Sequence, residues 1–299
     1  MVVTAATAVP VEGFAYGPLT PVLGFLMAVL GSALGLRCTV RALVTEGAAR
    51  AGWLALGATA IGTGIFTMHF IAMMGFAVGA MPIGYDLPLT YAGLLVAVLV
   101  TGIGIFLVGY GRGATGPLIG GGLASGLGVA AMHYMGMAGM RMDGELSYSP
   151  LYVTVSVAVA VVAATAALWC AVNVSGLRAA LGASVIMGIA VTGMHYTGMT
   201  GISARVHASG TPAAGSSPVE ALLPVLIIPV LLLVFTSLFI GLDPMTAEDI
   251  QRARRGGDSG TGDGRLPGTD PLDAGDRPRP HGFAATGPRA AGDTTGRFP

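Results

Sequence analysis

The chain has 299 residues, of which 53% are hydrophobic and only 10% charged, with a mean hydropathy of +0.75. This composition lies far outside the range of ordinary soluble domains. Net charge is zero, Lys is absent and every side-chain cation is Arg, so there is no basic stripe for nucleic acid, and nucleic-acid binding is excluded. Cys38 and Cys170 are too far apart for a redox or zinc motif and read as ordinary small apolar residues.

Residues 1–17 form an N-terminal segment with Glu12 and no Arg before Arg37. It lacks the basic start of a cleavable signal peptide, so the first span is expected to stay in the mature protein. Apolar runs long enough to cross the ~30 Å hydrocarbon layer as helices follow at 18–40, 52–77, 87–109, 116–139, 150–172, 179–202 and 221–242. The fold class is therefore all-α, a polytopic membrane protein of about seven transmembrane helices, with 18–242 as the membrane domain. The many glycines in these runs fit close helix packing in lipid. A water-soluble alternative would need seven buried helices with almost no polar faces to cover them.

Arg in short loops marks the cytoplasmic side. The first, third and fifth connections carry Arg37, Arg41, Arg50, Arg112 and Arg178, and the tail opens with Arg252, Arg254 and Arg255. The other connections carry Asp86, then Arg141 with Asp143 and Glu145, then Arg205, His207 and Glu220. The expected orientation is N-terminus outside and C-terminus inside, in the cell membrane. From Asp249 onward the sequence turns to Gly, Pro, Asp, Arg and Thr, and 243–299 is expected to be a disordered cytoplasmic tail in which His281 is solvated.

Three segments align without gaps: Gly62–Gly75, Gly126–Gly139 and Gly188–Gly201. Each has Met-His-aromatic at its centre: Met68-His69-Phe70, Met132-His133-Tyr134 and Met194-His195-Tyr196. The histidines are 64 and 62 residues apart, two spans per period, so the three motif helices run parallel and their histidines share one depth near the outer face. The architecture is three tandem two-helix repeats plus a last helix.

At ~100° per residue, the Met four after each His (Met73, Met137, Met199) falls ~40° from it and the Gly seven before (Gly62, Gly126, Gly188) ~20°. The small residue three after (Ala72, Gly136, Gly198) adjoins that stripe, which is expected to face into the bundle. The Met just before each His (Met68, Met132, Met194) lies ~100° off and is a weaker candidate for a shared site.

Intramembrane imidazoles need partners and mark functional sites. Imidazole with thioether, without carboxylate or thiolate, suits copper, particularly Cu(I). Zinc is met more often by Cys or carboxylate, and hard ions want oxygen. The candidate ligands are His69, His133, His195, Met73, Met137 and Met199, more than one Cu(I) ordinarily takes. Haem held by paired histidines is an alternative, as is plain packing of His and Met copied by duplication.

Met194-His195-Tyr196-Thr197 resembles the signature of the MHYT family of bacterial membrane sensor domains, and Met132-His133-Tyr134-Met135 and Met68-His69-Phe70-Ile71 look like divergent copies. The resemblance covers about 18–242. It implies a seven-span sensor module with its motifs near the outer face, for which copper binding and detection of oxygen, carbon monoxide or nitric oxide are proposed. Phe70 lacks the hydroxyl of the Tyr copies, and only the third copy has Thr. Family members often continue into a diguanylate cyclase, a phosphodiesterase or a histidine kinase, and here no recognisable catalytic domain follows. The chain is therefore read as a non-enzymatic sensor signalling to a separate cytoplasmic partner through Met245 to Arg255. Copper or small-solute transport and a haem or copper redox protein are the other readings.

Overall fold

A computed structural model describes residues 7–79, 81–111, 114–173, 177–206 and 218–242. Arg112, His207, the Met245–Arg255 stretch and the rest of the tail with His281 lie outside the described residues, as does the side chain of Arg178. Seven helices span the described part: α1 (Leu19–Leu43), α2 (Gly47–Met74), α3 (Leu87–Tyr110), α4 (Thr115–Ala138), α5 (Pro150–Asn173), α6 (Leu177–Thr200) and α7 (Pro218–Gly241). All are long and apolar enough to cross a membrane, so this is a multi-pass membrane protein.

Helices α1 to α6 close into a ring in which each packs on its chain neighbour and α6 returns to α1, while α7 lies outside against α2 and α1. Helices α2, α4 and α6 surround the axis and α1, α3 and α5 fill the clefts between them. Small residues set these distances. A Cβ at Gly31 would stand 2.7 Å from Gly64 Cα, so α1 and α2 touch backbone to backbone there, the close approach that stabilises helix pairs in lipid.

Each inner helix stops at the last glycine of its motif. Gly75, Gly139 and Gly201 offer their carbonyls to the chain entering the adjoining outer helix: Ala15 N–H donates to Gly75 (2.9 Å), Asp86 to Gly139 (2.8 Å) and Ser149 to Gly201 (2.9 Å). This is why α2 ends at Met74 and α6 at Thr200, a few residues before hydropathy places their ends. The apolar run continues into extended chain, which hydropathy does not distinguish from helix.

Among the described residues, seven short strands, absent from the expectations above, gather at this hairpin end: β1 (Thr7–Val9), β2 (Val11–Glu12), β3 (Ala77–Val78), β4 (Gly84–Tyr85), β5 (Met140–Arg141), β6 (Gly144–Tyr148) and β7 (Ile202–Val206). β4 pairs with β5, and β6 with β7, each joining one repeat to the next. The third junction is made by the N-terminal segment, with β1 on β7 and β2 on β3. All pairings are antiparallel and together lace the connections into a ring.

At the opposite, plain end, Arg50 donates to the Gly109 carbonyl and stacks over Tyr110, 4.9 Å from its ring centre. Arg41 lies over Trp53 at 5.3 Å. Both guanidiniums thereby gain partners at the helix ends.

Candidate metal centre

Each motif histidine lies five residues before the end of its inner helix, about 7 Å along the axis from the hairpin end. The threefold register brings all three to the axis. His69 Nδ1 is 3.1 Å from His195 Nδ1 and 3.2 Å from His133 Nδ1, and the remaining pair is 3.2 Å apart. The ring centroids are all 5.0 Å apart with interplanar angles of 75° to 87°, a three-bladed propeller. Exposure is 1% or less at every one.

Such a triangle cannot satisfy itself by hydrogen bonding. Each neutral imidazole has one N–H and one lone pair, and three Nδ1 atoms facing one another can share no linear arrangement of donors. The far nitrogens give no relief, because Nε2 of His69 and of His133 are buried without a partner. A cation shared by the three Nδ1 atoms would answer the Nδ1 side of this problem. The centre of a triangle with these edges lies about 1.8 Å from each corner, close to the ~2.0–2.1 Å of an imidazole–metal bond, so His69, His133 and His195 are spaced as three residues that could hold one ion.

The motif's small residue now has a function in the packing. His69 Nε2 of α2 lies against Gly136 of α4, where a Cβ would collide with it. His133 Nε2 of α4 lies against Gly198 of α6, where a Cβ would stand 2.8 Å away. The third copy of this position is Ala72, buried in α2. Each ring also packs edge-on against the aromatic that follows it, with centroids at 4.6 Å for Phe70, 4.8 Å for Tyr134 and 4.9 Å for Tyr196.

Met73, Met137 and Met199 are buried one turn toward the hairpin end. Met68 packs on Gly24 of α1 and Met132 on Gly93 of α3, so these two fill the junctions with the outer helices. The glycines seven before each His depart from the expected stripe. Gly62 meets Val98 of α3, Gly126 meets Val161 of α5, and Gly188 meets Phe25 and Val29 of α1. About 10 Å further along the helix, the outer helix has wedged into the cleft between two inner ones.

The sequence reading missed how the aromatics are anchored. The Tyr134 hydroxyl is 2.7 Å from Ser156 Oγ, and Ser156 donates to the Val153 carbonyl at 2.9 Å, so the tyrosine donates to the serine. Tyr196 instead stacks on Phe14 of the N-terminal segment at 5.1 Å. At the rim, Asp86 caps α3 by accepting from Leu89 N–H (3.0 Å) and from Arg141 (2.5 Å). The Arg141 hydrogen bond, then that from Leu89, holds its carboxyl below the ordinary range. Burial pushes the Tyr85 phenol up, and burial with Tyr134 nearby does the same to Tyr148, so both stay neutral.

The family described as "Bacterial signalling protein N terminal repeat" (MHYT) matches at residues 62–121 and 126–184, each match opening on a motif helix. The chain is 39% identical over 189 residues to the bifunctional diguanylate cyclase/cyclic di-GMP phosphodiesterase MucR of Pseudomonas aeruginosa, covering 62% of this chain and 27% of that protein. It is 35% identical over 214 residues to the cyclic di-GMP phosphodiesterase NbdA of the same organism (68% and 27%). It is 27% identical over 205 residues to the signaling protein YkoW of Bacillus subtilis (66% and 25%). The chain thus spans about a quarter of the length of the curated relatives it matches. No solved structure matches it. With two matched repeats, and a third histidine placed by the fold in register with theirs, the membrane part of this chain belongs to the MHYT family of bacterial signalling proteins.

Proposed function

We propose that the chain is the membrane input module of a signalling system, in which His69, His133 and His195 hold a copper ion through Nδ1 and the site detects a diatomic gas, oxygen, carbon monoxide or nitric oxide. The observation that carries the metal reading is the buried Nδ1 triangle with edges of 3.1 to 3.2 Å. Three imidazoles alone also suit zinc. Copper is favoured by Met73, Met137 and Met199 one turn away, soft donors in a neighbourhood without thiolate or carboxylate. Among the described residues the triad is the only cluster of three or more His, Cys, Asp or Glu groups placed to share an ion. A haem needs its axial nitrogens on opposite faces of a porphyrin, and a converging triangle offers no such slot.

Copper in this site would supply a soft centre able to bind a small π-acceptor ligand. The chain's own part is to hold three donors rigidly and exclude water. A response then requires two packings of the inner helices with different affinity for the occupant. Nothing in the triad's surroundings supplies an acid/base pair, so the module is read as non-enzymatic. Transport is less well supported, because the side chains one turn inward, Ile65, Val129 and Val191, offer an ion no polar route.

Arg37, Arg41 and Arg50 lie toward the plain end, while Asp86, Asp143 and Glu145 lie at the hairpin end. By the positive-inside rule this distribution supports a cytoplasmic plain end, with the triad near the outer face. The two Pseudomonas relatives are named for cyclic di-GMP turnover, and this chain matches about a quarter of each. In this reading the helix bundle is the input, and its output passes to a cytoplasmic signalling partner.

The test is elemental analysis of the detergent-purified protein for copper, iron and zinc beside a variant with all three histidines changed to Ala. Copper in the wild type and none in the variant is expected. Iron would redirect the site to haem, and no metal after anaerobic copper loading would leave the triad a packing device.

A further inference from the structure

Next to the triad, on its plain-end side, the bundle holds a partly open apolar cavity of about 40 Å³. Its walls repeat with the helices. Ile65, Val129 and Val191, each four residues before a motif histidine, form one layer, and Ile61, Ser125 and Met187, each eight before, form the next. Met194, the residue before His195, also lines it, so the cavity reaches the triad's own turn. Alanines of α5 such as Ala160 and Ala164 complete the wall, and their small side chains leave the space open.

Two hydroxyl-bearing side chains line it, Ser125 and Thr101, yet no polar atom contributes surface to it. The Ser125 hydroxyl is turned to the Val100 carbonyl at 3.5 Å, and Thr101 Oγ1, buried without a partner, is one polar atom where a water needs at least two. Water needs two or more polar partners to settle in such a place, whereas dry apolar cavities take up xenon and small hydrocarbons. The volume exceeds the ~10–15 Å³ that one water requires and leaves room for a guest of about two atoms.

We infer that this cavity is a binding site for a small apolar gas, a diatomic molecule or a noble-gas atom, and that it delivers such a guest to the plain-end face of the histidine triangle. The two sides of the triangle differ: Met73, Met137 and Met199 are buried on the hairpin side, and the cavity lies on the other, separated from the rings by the layer of Ile65, Val129 and Val191 and reaching their turn at Met194. Gas dissolved in the bilayer reaches this depth without crossing a charged layer. The first arm of the test is independent of any metal; the second rests on the copper reading above.

In the first arm, saturable xenon binding is measured by 129Xe NMR on the detergent-purified metal-free protein. Wild type is expected to bind, and Ala164→Phe, which fills the cavity from α5, to weaken binding by about tenfold or more. Val129→Phe serves as a second filling variant should the first fail to fold. Xenon binding unchanged in both folded variants overturns the inference. In the second arm, carbon monoxide binding to the Cu(I)-loaded protein is followed by its infrared stretching band. Ala164→Phe is expected to weaken it by about tenfold with copper content unchanged; carbon monoxide binding unaffected by filling overturns delivery from this side. A protein that holds no copper but binds xenon in an Ala164-dependent way would sink the metal reading and leave the gas site standing.

Discussion

The far edge of the His69 ring, Nε2, rests on Gly136 of the neighbouring inner helix with no room for a methyl group between them. The same contact joins His133 Nε2 to Gly198, slightly more loosely. A glycine three residues after a histidine therefore serves the histidine of a different repeat.

Adding that methyl should push the donor off the axis. Gly136→Ala is expected to weaken metal binding by about 10- to 100-fold, as does loss of a supporting contact behind a metal-binding histidine. Gly198→Ala should do less, because its Cβ would stand 2.8 Å from the ring nitrogen and a small shift relieves it. Gly193→Ala, on the same helix with nothing within 4 Å of its Cβ, should leave affinity within about twofold. Chelator competition titrations on the three purified variants decide this, and equal effects at Gly136 and Gly193 would refute it.

Metal binding should also stabilise the fold. A ligand bound only to the native state adds about 2.7 kcal/mol at a free concentration 100 times its Kd, which raises Tm by several degrees. Anaerobic thermal unfolding with and without Cu(I) should show that rise in the wild type and its loss in His195→Ala, which removes one corner of the triangle. A Tm of the wild type indifferent to copper would refute the prediction.

Tyr134 and Ser156 should be coupled. Their hydrogen bond joins α4 to α5 where Ser156 is fully buried, and such bonds between membrane helices are worth about 0.5–1 kcal/mol. A double-mutant cycle of Tyr134→Phe and Ser156→Ala, read by unfolding in mixed detergent, should return a coupling of that size. Additive single effects would show that the hydroxyls do not cooperate. The first repeat, with Phe70, has no such bond to lose.

Asp86 gives the rim a pH dependence of known sign. Its carboxyl is held low in the folded state by Arg141 first and Leu89 N–H second, so its stabilising contribution is present above the unfolded carboxylate pKa. That contribution is lost as pH falls through the folded value. Wild type should unfold at higher temperature than Asp86→Asn at neutral pH, and the gap should close on acidification below the ordinary carboxylate range. The gap should shrink in high salt, since Arg141 is largely exposed. A gap unchanged between pH 7 and strong acid would contradict the assignment.

The spans are legible in the sequence because a 20-residue apolar run leaves the chain one way to satisfy its backbone in lipid. The three histidines are placed at one depth by the repeat period alone. Their convergence through Nδ1 is not legible, because the seats of the His69 and His133 rings are Gly136 and Gly198, and those contacts come from other repeats. The strands escape notice for a similar reason. Thr7–Val9 is extended only because Ile202–Val206 lies beside it, and no local pattern in three residues reveals a partner at the other end of the chain. The glycines seven before each His mislead because one helix's periodicity says where a face points, while the wedge of an outer helix decides what it meets.

The seating of the His69 and His133 rings on a neighbouring inner helix makes the triangle act like meshed gears. A rotation of α4 about its own axis turns His133, and it also carries Gly136 out from under His69 on α2. By the same contact, a rotation of α6 disturbs both its own His195 and the support of His133 at Gly198. Neither α4 nor α6 can therefore turn without disturbing a second histidine of the triangle. A displacement at the centre of the triangle bears on α2, α4 and α6 together, not on one helix alone.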